Sequence, residues 1–352
     1  MKKGGVFLQN KEINICLVGF GNVAQEFCRM LIDKNVEIKA NTGYDIKVTA
    51  IAGRSKGAIV NYKGIDLRKA LIDVESSGKF DVRTQGIVNM ETVEVIKQCR
   101  ANVLVELSTL SIYDGEPAIT HIENAFDRGM HVITGNKGPV AYKYQKLRDN
   151  SKERGLQFLY ETIVMDGTPI FNLVKNTLPG CTVISFRGIL NSTTNFVLGE
   201  MEKGNSYGNA IKEAKRRGFA EEDPSMDMDG WDAAAKTSAL LNVLMDTNIN
   251  PTEIDRQGIT HITLEDIEKA KEKNCKIKLL CEGYIEDNKI KGKVYPAYIK
   301  SNDILSNIDA TSSILCLTTD LMGEVQIIEK DPEIQQTAYG IYSDLRTLII
   351  NL

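Results

Sequence analysis

Ile13-Asn14-Ile15-Cys16-Leu17-Val18-Gly19-Phe20-Gly21-Asn22-Val23-Ala24 reads as a β-strand that runs into a glycine turn and then opens a helix. Gly19 permits the tight turn, and Gly21 lets the backbone approach a pyrophosphate. Ala24, at the third position of the pattern, is small enough for close helix–strand packing. The N-terminus of the helix supplies free N–H groups and the positive end of a dipole, both suited to phosphate. A glycine-rich turn alone is also compatible with a loop that holds no ligand. Here a strong strand precedes it, a helix follows it, and it opens a longer alternating pattern, so it reads as a dinucleotide-binding turn.

Outward from this turn, short β-rich runs alternate with helical patterns. The runs are Ile13–Val18, Ile46–Ala52, Val103–Leu107, His131–Thr134 and Leu156–Tyr160. Helical stretches are expected around Ala24–Ile32, Glu91–Cys99, Pro117–Arg128 and Tyr142–Arg154. This alternation predicts an α/β domain, a Rossmann-type parallel sheet with helices on both faces and ligands at the carboxyl ends of its strands. Beyond about residue 165 the rhythm changes. Thr168–Asn176, Ser206–Arg217, Trp231–Met245 and Leu264–Lys271 look helical, whereas Cys181–Leu190, Ile277–Ile285, Ile290–Ile299 and Ile314–Thr318 look like strands. This half reads as α+β. The expected division is a nucleotide-binding domain over 1–160 and a substrate-binding and dimerisation domain over 161–331. The amphipathic helix of 332–352 is expected to pack back on the first domain.

A chain of 352 residues has ample length for two cores, and its formal net charge of −4 gives no footprint for nucleic acid or a membrane surface. No apolar run approaches the roughly 20 residues of a bilayer span. Met1 to Lys11 is short and polar and lacks the apolar core of a signal peptide. Seven cysteines, an odd number with no CxxC spacing, read as small buried thiols in a reducing cytoplasm.

Cofactor choice is expected at the end of the second strand, where an NAD enzyme usually carries an acid for the ribose hydroxyl. Here the sequence is Ile51-Ala52-Gly53-Arg54-Ser55-Lys56, with no acid and two cations. Arg54 can grip a 2′-phosphate with its planar fork and Lys56 adds a point charge, so NADP is favoured over NAD. An ordinary solvated loop has the same composition.

Six acids fall between Glu221 and Asp232, and a helix then begins near Gly230. Asp232 and Lys236 lie four apart on one helical face. That spacing is common in surface pairs, but Lys236 lies among Ala233, Ala234, Ala235, Ala239 and Leu240, a segment that looks buried. A lysine beside apolar surface needs a partner and suits proton transfer to a forming alkoxide. None of the three histidines, His121, His131 and His261, has a motif around it. A second lysine, Lys137, lies in the polar turn Gly135-Asn136-Lys137-Gly138-Pro139 after a strand, at the sheet edge that binds ligands.

Further segments carry a resemblance. Glu161-Thr162-Ile163-Val164-Met165-Asp166-Gly167-Thr168-Pro169, Asn191-Ser192-Thr193-Thr194-Asn195, Glu221 to Lys236 and Gln336-Thr337-Ala338-Tyr339-Gly340, together with the glycine turn and the Lys137 turn, resemble the motifs of the homoserine dehydrogenase family over nearly the full length of the chain. The resemblance implies a reversible NAD(P)H-dependent reduction of L-aspartate 4-semialdehyde to L-homoserine, serving threonine, methionine and isoleucine synthesis. It implies that Lys236 donates the proton and that Lys137 is a second essential lysine beside the nicotinamide. Glu221 and Asp232 would bind the amino-acid substrate, with Asp227 as a supporting acid and Thr193 in the lining loop. Gly19, Phe20, Gly21, Asn22, Val23, Arg54, Lys56, Ser108, Thr109, Lys137 and Gly340 would meet the cofactor. Glu161, Val164, Asp166 and Thr168 would form a loop for a monovalent cation, usually sodium. The family is usually dimeric, so a homodimer is expected.

The chain departs from the family pattern at Thr162, Met165, Asp166, Ser192, Ala24 and Gly135, which puts the cation loop in most doubt. No amino-acid-sensing regulatory domain is expected, nor feedback inhibition through one. Two alternatives stay open from the sequence: a related reductase of another small amino aldehyde, and a non-catalytic NADP-binding regulator.

Overall fold

The computed structural model describes residues 11–84, 86–111 and 113–352. The stretch 1–10, read above as lacking a signal peptide, lies outside the described residues. Seven strands build the first sheet: β1 (Lys11–Val18), β2 (Tyr44–Gly53), β3 (Gly57–Val60), β4 (Ile87–Val88), β5 (Val103–Glu106), β6 (His131–Thr134) and β7 (Phe158–Leu159). Their order in space is β4-β3-β2-β1-β5-β6-β7. β2, β1, β5, β6 and β7 are parallel, while β3 and β4 form an antiparallel edge. β1 bonds to β2 on one side and β5 on the other, so the strand order reverses there and a crevice opens at the carboxyl ends.

Helices α1 (Asn22–Thr42), α2 (Leu67–Ser77), α3 (Thr92–Gln98), α4 (Ala118–Asp127) and α5 (Lys137–Glu153) cover the sheet. Alternation along β1 explains the two layers: Ile13, Ile15 and Leu17 pack with Phe27 and Leu31 of α1, while Cys16 and Val18 pack with Ile96 and Phe126.

The second domain contains α6 (Phe171–Thr177), β8 (Val183–Ile189), α7 (Ser192–Glu202), α8 (Tyr207–Arg216), α9 (Ser225–Met228), α10 (Trp231–Leu244), β9 (Asp255–Arg256), α11 (Leu264–Glu272), β10 (Cys275–Glu286), β11 (Lys289–Lys300), β12 (Ser313–Thr319) and β13 (Gly323–Glu329). Its sheet runs β13-β12-β8-β10-β11-β9, antiparallel except for the short β9–β11 pair. Leu240 and Leu241 of α10 pack against Phe186, Leu279, Cys281 and Leu315 of that sheet. α12 (Ile334–Ile350) returns to the first domain, and its Ala338, Ile341, Leu345 and Leu348 join the apolar cluster of Phe27. The fold is thus a Rossmann-type parallel sheet followed by an α+β domain. Among the described residues no helix is long and apolar enough to cross a membrane.

Several elements differ from the sequence expectation. α1 runs ten residues past Ile32 and stops at Gly43, which takes a left-handed conformation (φ 77°). Lys137 is the first residue of α5 rather than part of a turn, because Asn136 caps the helix and Pro139 is tolerated in a first turn. Lys143 has non-helical dihedrals (φ −140°, ψ 28°), a break inside α5 one residue into the stretch expected to be helical. α7 begins at Ser192, inside the segment read as a loop, because the Asn191 side chain accepts from the N–H of Thr194. β13 went unread because most of its side chains are exposed, as an edge strand allows.

Candidate active site

The glycine turn closes on the neighbouring strand. Gly19 has φ 85°, and a Cβ there would stand 2.2 Å from the Leu107 carbonyl oxygen, so no other residue fits. A Cβ on Gly21 would meet nothing within 4 Å, which leaves open space over the start of α1. That helix has no side-chain cap and no acid in its first turn, so its N–H groups are free for an anion. Beside the Gly19 turn the Ser108 Oγ is buried with no hydrogen-bond partner among the described residues. An open cradle, uncapped N–H groups and an orphaned hydroxyl fit a dinucleotide. Asn22 is exposed and Val23 half-buried at the start of α1, and Thr109, which follows Ser108, is exposed. The Phe20 side chain is buried against Phe80, with ring centroids 5.2 Å apart, so only its backbone is left for a ligand.

At the end of β2 the chain reverses into β3 through Arg54, Ser55 and Lys56, with the Lys56 N–H donating to the Gly53 carbonyl at 3.2 Å. Arg54 is exposed and Lys56 half-buried, and neither has an acidic partner among the described residues.

The second cluster joins the two domains. Asp232 in the first turn of α10 stands 3.1 Å from Lys137 Nζ, at the start of α5, and 3.5 Å from Lys236 Nζ, one turn on. Lys236 Nζ also donates to the Leu190 carbonyl at 2.7 Å, which leaves one of its three N–H groups for a ligand. Asn191 Nδ2 donates to Asp227 at 2.6 Å and to Asp232 at 3.0 Å, so the residue that caps α7 also holds two acids in place. Burial alone would lower the Lys236 pKa, but the charges of Asp232, Asp166 and Asp227 more than offset it and hold the ammonium above its ordinary value. Burial would raise Asp232, yet Lys137, Lys236 and the Asn191 N–H group keep it well below the usual carboxylate range. Asp227 is pushed up by burial and by the charge of Asp232.

Thr193 joins the cluster beside Asp227, and its hydroxyl donates to the Phe219 carbonyl at 2.9 Å. Not all the expected residues meet here. Glu221 is exposed on the loop before α9, with no partner among the described residues. Gly340 lies inside α12, where a Cβ would stand 2.7 Å from Thr162 Cβ and 3.0 Å from the Asp166 carbonyl, so its smallness serves helix–loop packing. The loop expected to hold a monovalent cation also makes internal hydrogen bonds. The Glu161 carboxylate accepts from the N–H groups of Phe171 (2.7 Å) and Asn172 (2.8 Å) and so caps α6, and the Thr168 carbonyl accepts from Ile170. Asp166 accepts from the Thr337 hydroxyl at 2.5 Å. Among the described residues no group of three or more His, Cys, Asp or Glu is arranged to hold a metal, and no step below uses a cation.

Two participants escaped the sequence reading. Asn191 had a signal in its capping pattern with Thr194. Glu329 had none. It lies beside Asp166 and Thr168, and burial followed by the Asp166 charge pushes its carboxyl up to about 7.

The arrangement offers a phosphate-binding crevice on one domain and a charged ammonium held by an acid on the other. Two family profiles match the chain: "Homoserine dehydrogenase, NAD binding domain" over residues 19–161 and "Homoserine dehydrogenase" over 169–345. The homoserine dehydrogenase of Methanocaldococcus jannaschii is 37% identical over 334 residues, 95% of this chain and 97% of that one. The NAD(+)-dependent homoserine dehydrogenase of Pseudomonas canavaninivorans is 32% identical over 335 residues, 95% of each chain. A hyperthermophilic archaeal homoserine dehydrogenase solved in complex with NADPH superposes with a TM-score of 0.81 at 28% identity, covering 97% of this chain and 98% of that one. The chain belongs to the homoserine dehydrogenase family and has its NAD(P)-binding oxidoreductase fold.

Proposed function

We propose that the protein catalyses the reversible NAD(P)H-dependent reduction of L-aspartate 4-semialdehyde to L-homoserine, a step in threonine, methionine and isoleucine synthesis. The observation that carries this reading is Asp232 shared between Lys137 and Lys236 across the two domains. A bound nicotinamide cofactor supplies the hydride. Lys236, kept protonated by its acidic neighbours, gives a proton to the aldehyde oxygen as the alkoxide forms, and its charge stabilises that oxygen beforehand. Asp232 orients both lysines. Because Asp232 is already divided between them, Glu221, exposed and unpaired among the described residues, is the acid left free to meet the substrate ammonium, with Asp227 and Thr193 as the supporting residues. In the reverse direction Lys236 is reprotonated by the alcohol.

NADP is the cofactor favoured by the unpaired Arg54 and Lys56, and the relative solved with NADPH supports it. The name of the Pseudomonas canavaninivorans relative favours NAD as the second reading. Seven unpaired cysteines support a reducing cytoplasmic setting, and we read the protein as a homodimer. Assaying aspartate semialdehyde with NADPH and NADH side by side tests the reaction and the cofactor together. Lys236→Ala is expected to abolish turnover while leaving NADPH binding near normal. A variant that keeps most of its kcat removes Lys236 from the mechanism.

A further inference from the structure

Glu106 is the last residue of β5 and the one polar residue in it. Val103, Leu104 and Val105 are apolar, and all four are 0% exposed. Burying a carboxylate is costly, and an apolar side chain would fill this place more cheaply. The acid is held by directed bonds. Its Oε1 accepts from the backbone N–H of Ser108 at 3.2 Å and lies 3.2 Å from His121 Nδ1. The Thr134 hydroxyl has one proton and finds the Glu106 carbonyl at 3.3 Å, Glu106 Oε2 at 3.5 Å and the Asn136 carbonyl at 3.4 Å. The same hydroxyl accepts from the Asn136 N–H at 3.0 Å. Asn136 Nδ2 donates to the Ser108 carbonyl at 3.1 Å, and its Oδ1 accepts from the Gly138 N–H at 3.0 Å, capping the helix that begins with Lys137. Glu106, Ser108, Asn136 and Thr134 thus form a closed ring of hydrogen bonds.

We propose that Glu106 is a positioning residue for the dehydrogenase reaction, fixing the turn that carries Ser108 and the turn that carries Lys137 in one register. The ring explains how the Ser108 Oγ stays buried without a partner of its own. Its backbone is held on both sides, by Glu106 and by Asn136, so the turn that carries the unpartnered hydroxyl is fixed without a bond from the hydroxyl itself. It also explains how Lys137 reaches Asp232 from the other domain, because the start of α5 is tied to β5 through Asn136. The inference rests on the function proposed above.

Kinetics of the full-length Glu106→Ala, Glu106→Gln and Thr134→Val variants test it, with thermal melting of each to report the folded fraction. A misplacement of the kind expected in Glu106→Ala lowers kcat by about a hundredfold and raises the KM for NADPH, while the KM for the semialdehyde stays close to the parent's. Glu106→Gln keeps an acceptor for the Ser108 N–H and recovers most of both parameters. Thr134→Val cuts the links that run through the Thr134 hydroxyl, to Glu106 and to Asn136, and leaves the Glu106–Ser108 bond, so it lowers kcat and leaves the KM for NADPH unchanged. A folded Glu106→Ala enzyme with the parent's kcat and KM for NADPH overturns the proposal. So do losses in all three variants that merely track the folded fraction. Fluorescence titration with NADPH needs no substrate: if the parent fails to reduce the semialdehyde, weaker NADPH binding in Glu106→Ala, restored in Glu106→Gln, still supports the positioning role, and unchanged binding refutes it.

Discussion

Asp232→Asn removes a charge that two ammonium groups share. The carboxylate stands 3.1 Å from one and 3.5 Å from the other. At an effective dielectric of about 20, each contact represents a gross attraction of about 5 kcal/mol. Desolvation cancels most of that, but removing one partner of a buried set still costs about 3–5 kcal/mol. The three side chains keep 17–18% of their exposure, which points to the lower end, about 3 kcal/mol. The loss also has a pH signature. The folded-state pKa of Lys236 lies above its ordinary value of 10.5, so its stabilisation is fully present below that pH and disappears as pH rises through the folded value. The folded-state pKa of Asp232 lies below its ordinary 3.8, so its contribution is present above that pH and disappears as pH falls toward the folded value. In the variant, burial of Lys236 meets less opposition, although Asp166 and Asp227 remain, and its proton is lost at lower pH. Reduction of the semialdehyde, followed by NADPH absorbance between about pH 6 and about pH 10, should be flat for the parent and fall on the alkaline side for the variant. Urea unfolding at neutral pH measures the stability loss in parallel. An Asp232→Asn enzyme with the parent's pH profile and unfolding midpoint would refute the shared-acid argument.

Three other substitutions probe the parts of the site separately. Gly19→Ala combines a positive φ with a backbone clash at Leu107, so it should lose at least about 3 kcal/mol of stability and its NADPH-induced rise in melting temperature; a variant that binds NADPH like the parent would remove the turn from the cofactor site. Arg54→Ala with Lys56→Ala should raise the KM for NADPH by about tenfold per cation, as the loss of a charge-assisted contact implies, and leave NADH alone; equal changes for both cofactors would mean that these cations do not read the 2′-phosphate. Glu161→Ala uncaps α6 and should cost about 2–3 kcal/mol, with faster hydrogen exchange at the Phe171 and Asn172 amides; unchanged exchange there would show that the cap is unimportant.

Much of this molecule was legible before folding because the relevant information is local. The strand, turn and helix of residues 13–24 are encoded in twelve consecutive side chains, and only glycine can occupy a turn with the geometry of Gly19. The switch from alternating strands and helices to an α+β pattern near residue 165 showed as a change of period. Lys137, Asp232 and Lys236 were each singled out from motif and setting, and the family resemblance gave them roles. Their arrangement was decided by tertiary structure. An acid and a lysine four apart are compatible with a solvated helix face, and nothing within α10 announces that Lys137 arrives from the other domain to share the acid. Asn191 and Glu106 show the same limit. One reads as a loop residue and the other as the end of a strand, yet both hold the site through partners distant in sequence. Glu161 shows it too, since a residue singled out for a cation loop also caps a helix ten residues on, a partner its own segment does not announce. Periodicity records which face of an element is apolar. Which charges meet, and whether a buried acid takes a lysine, a backbone amide or an ion, depends on packing between elements that the local pattern does not contain.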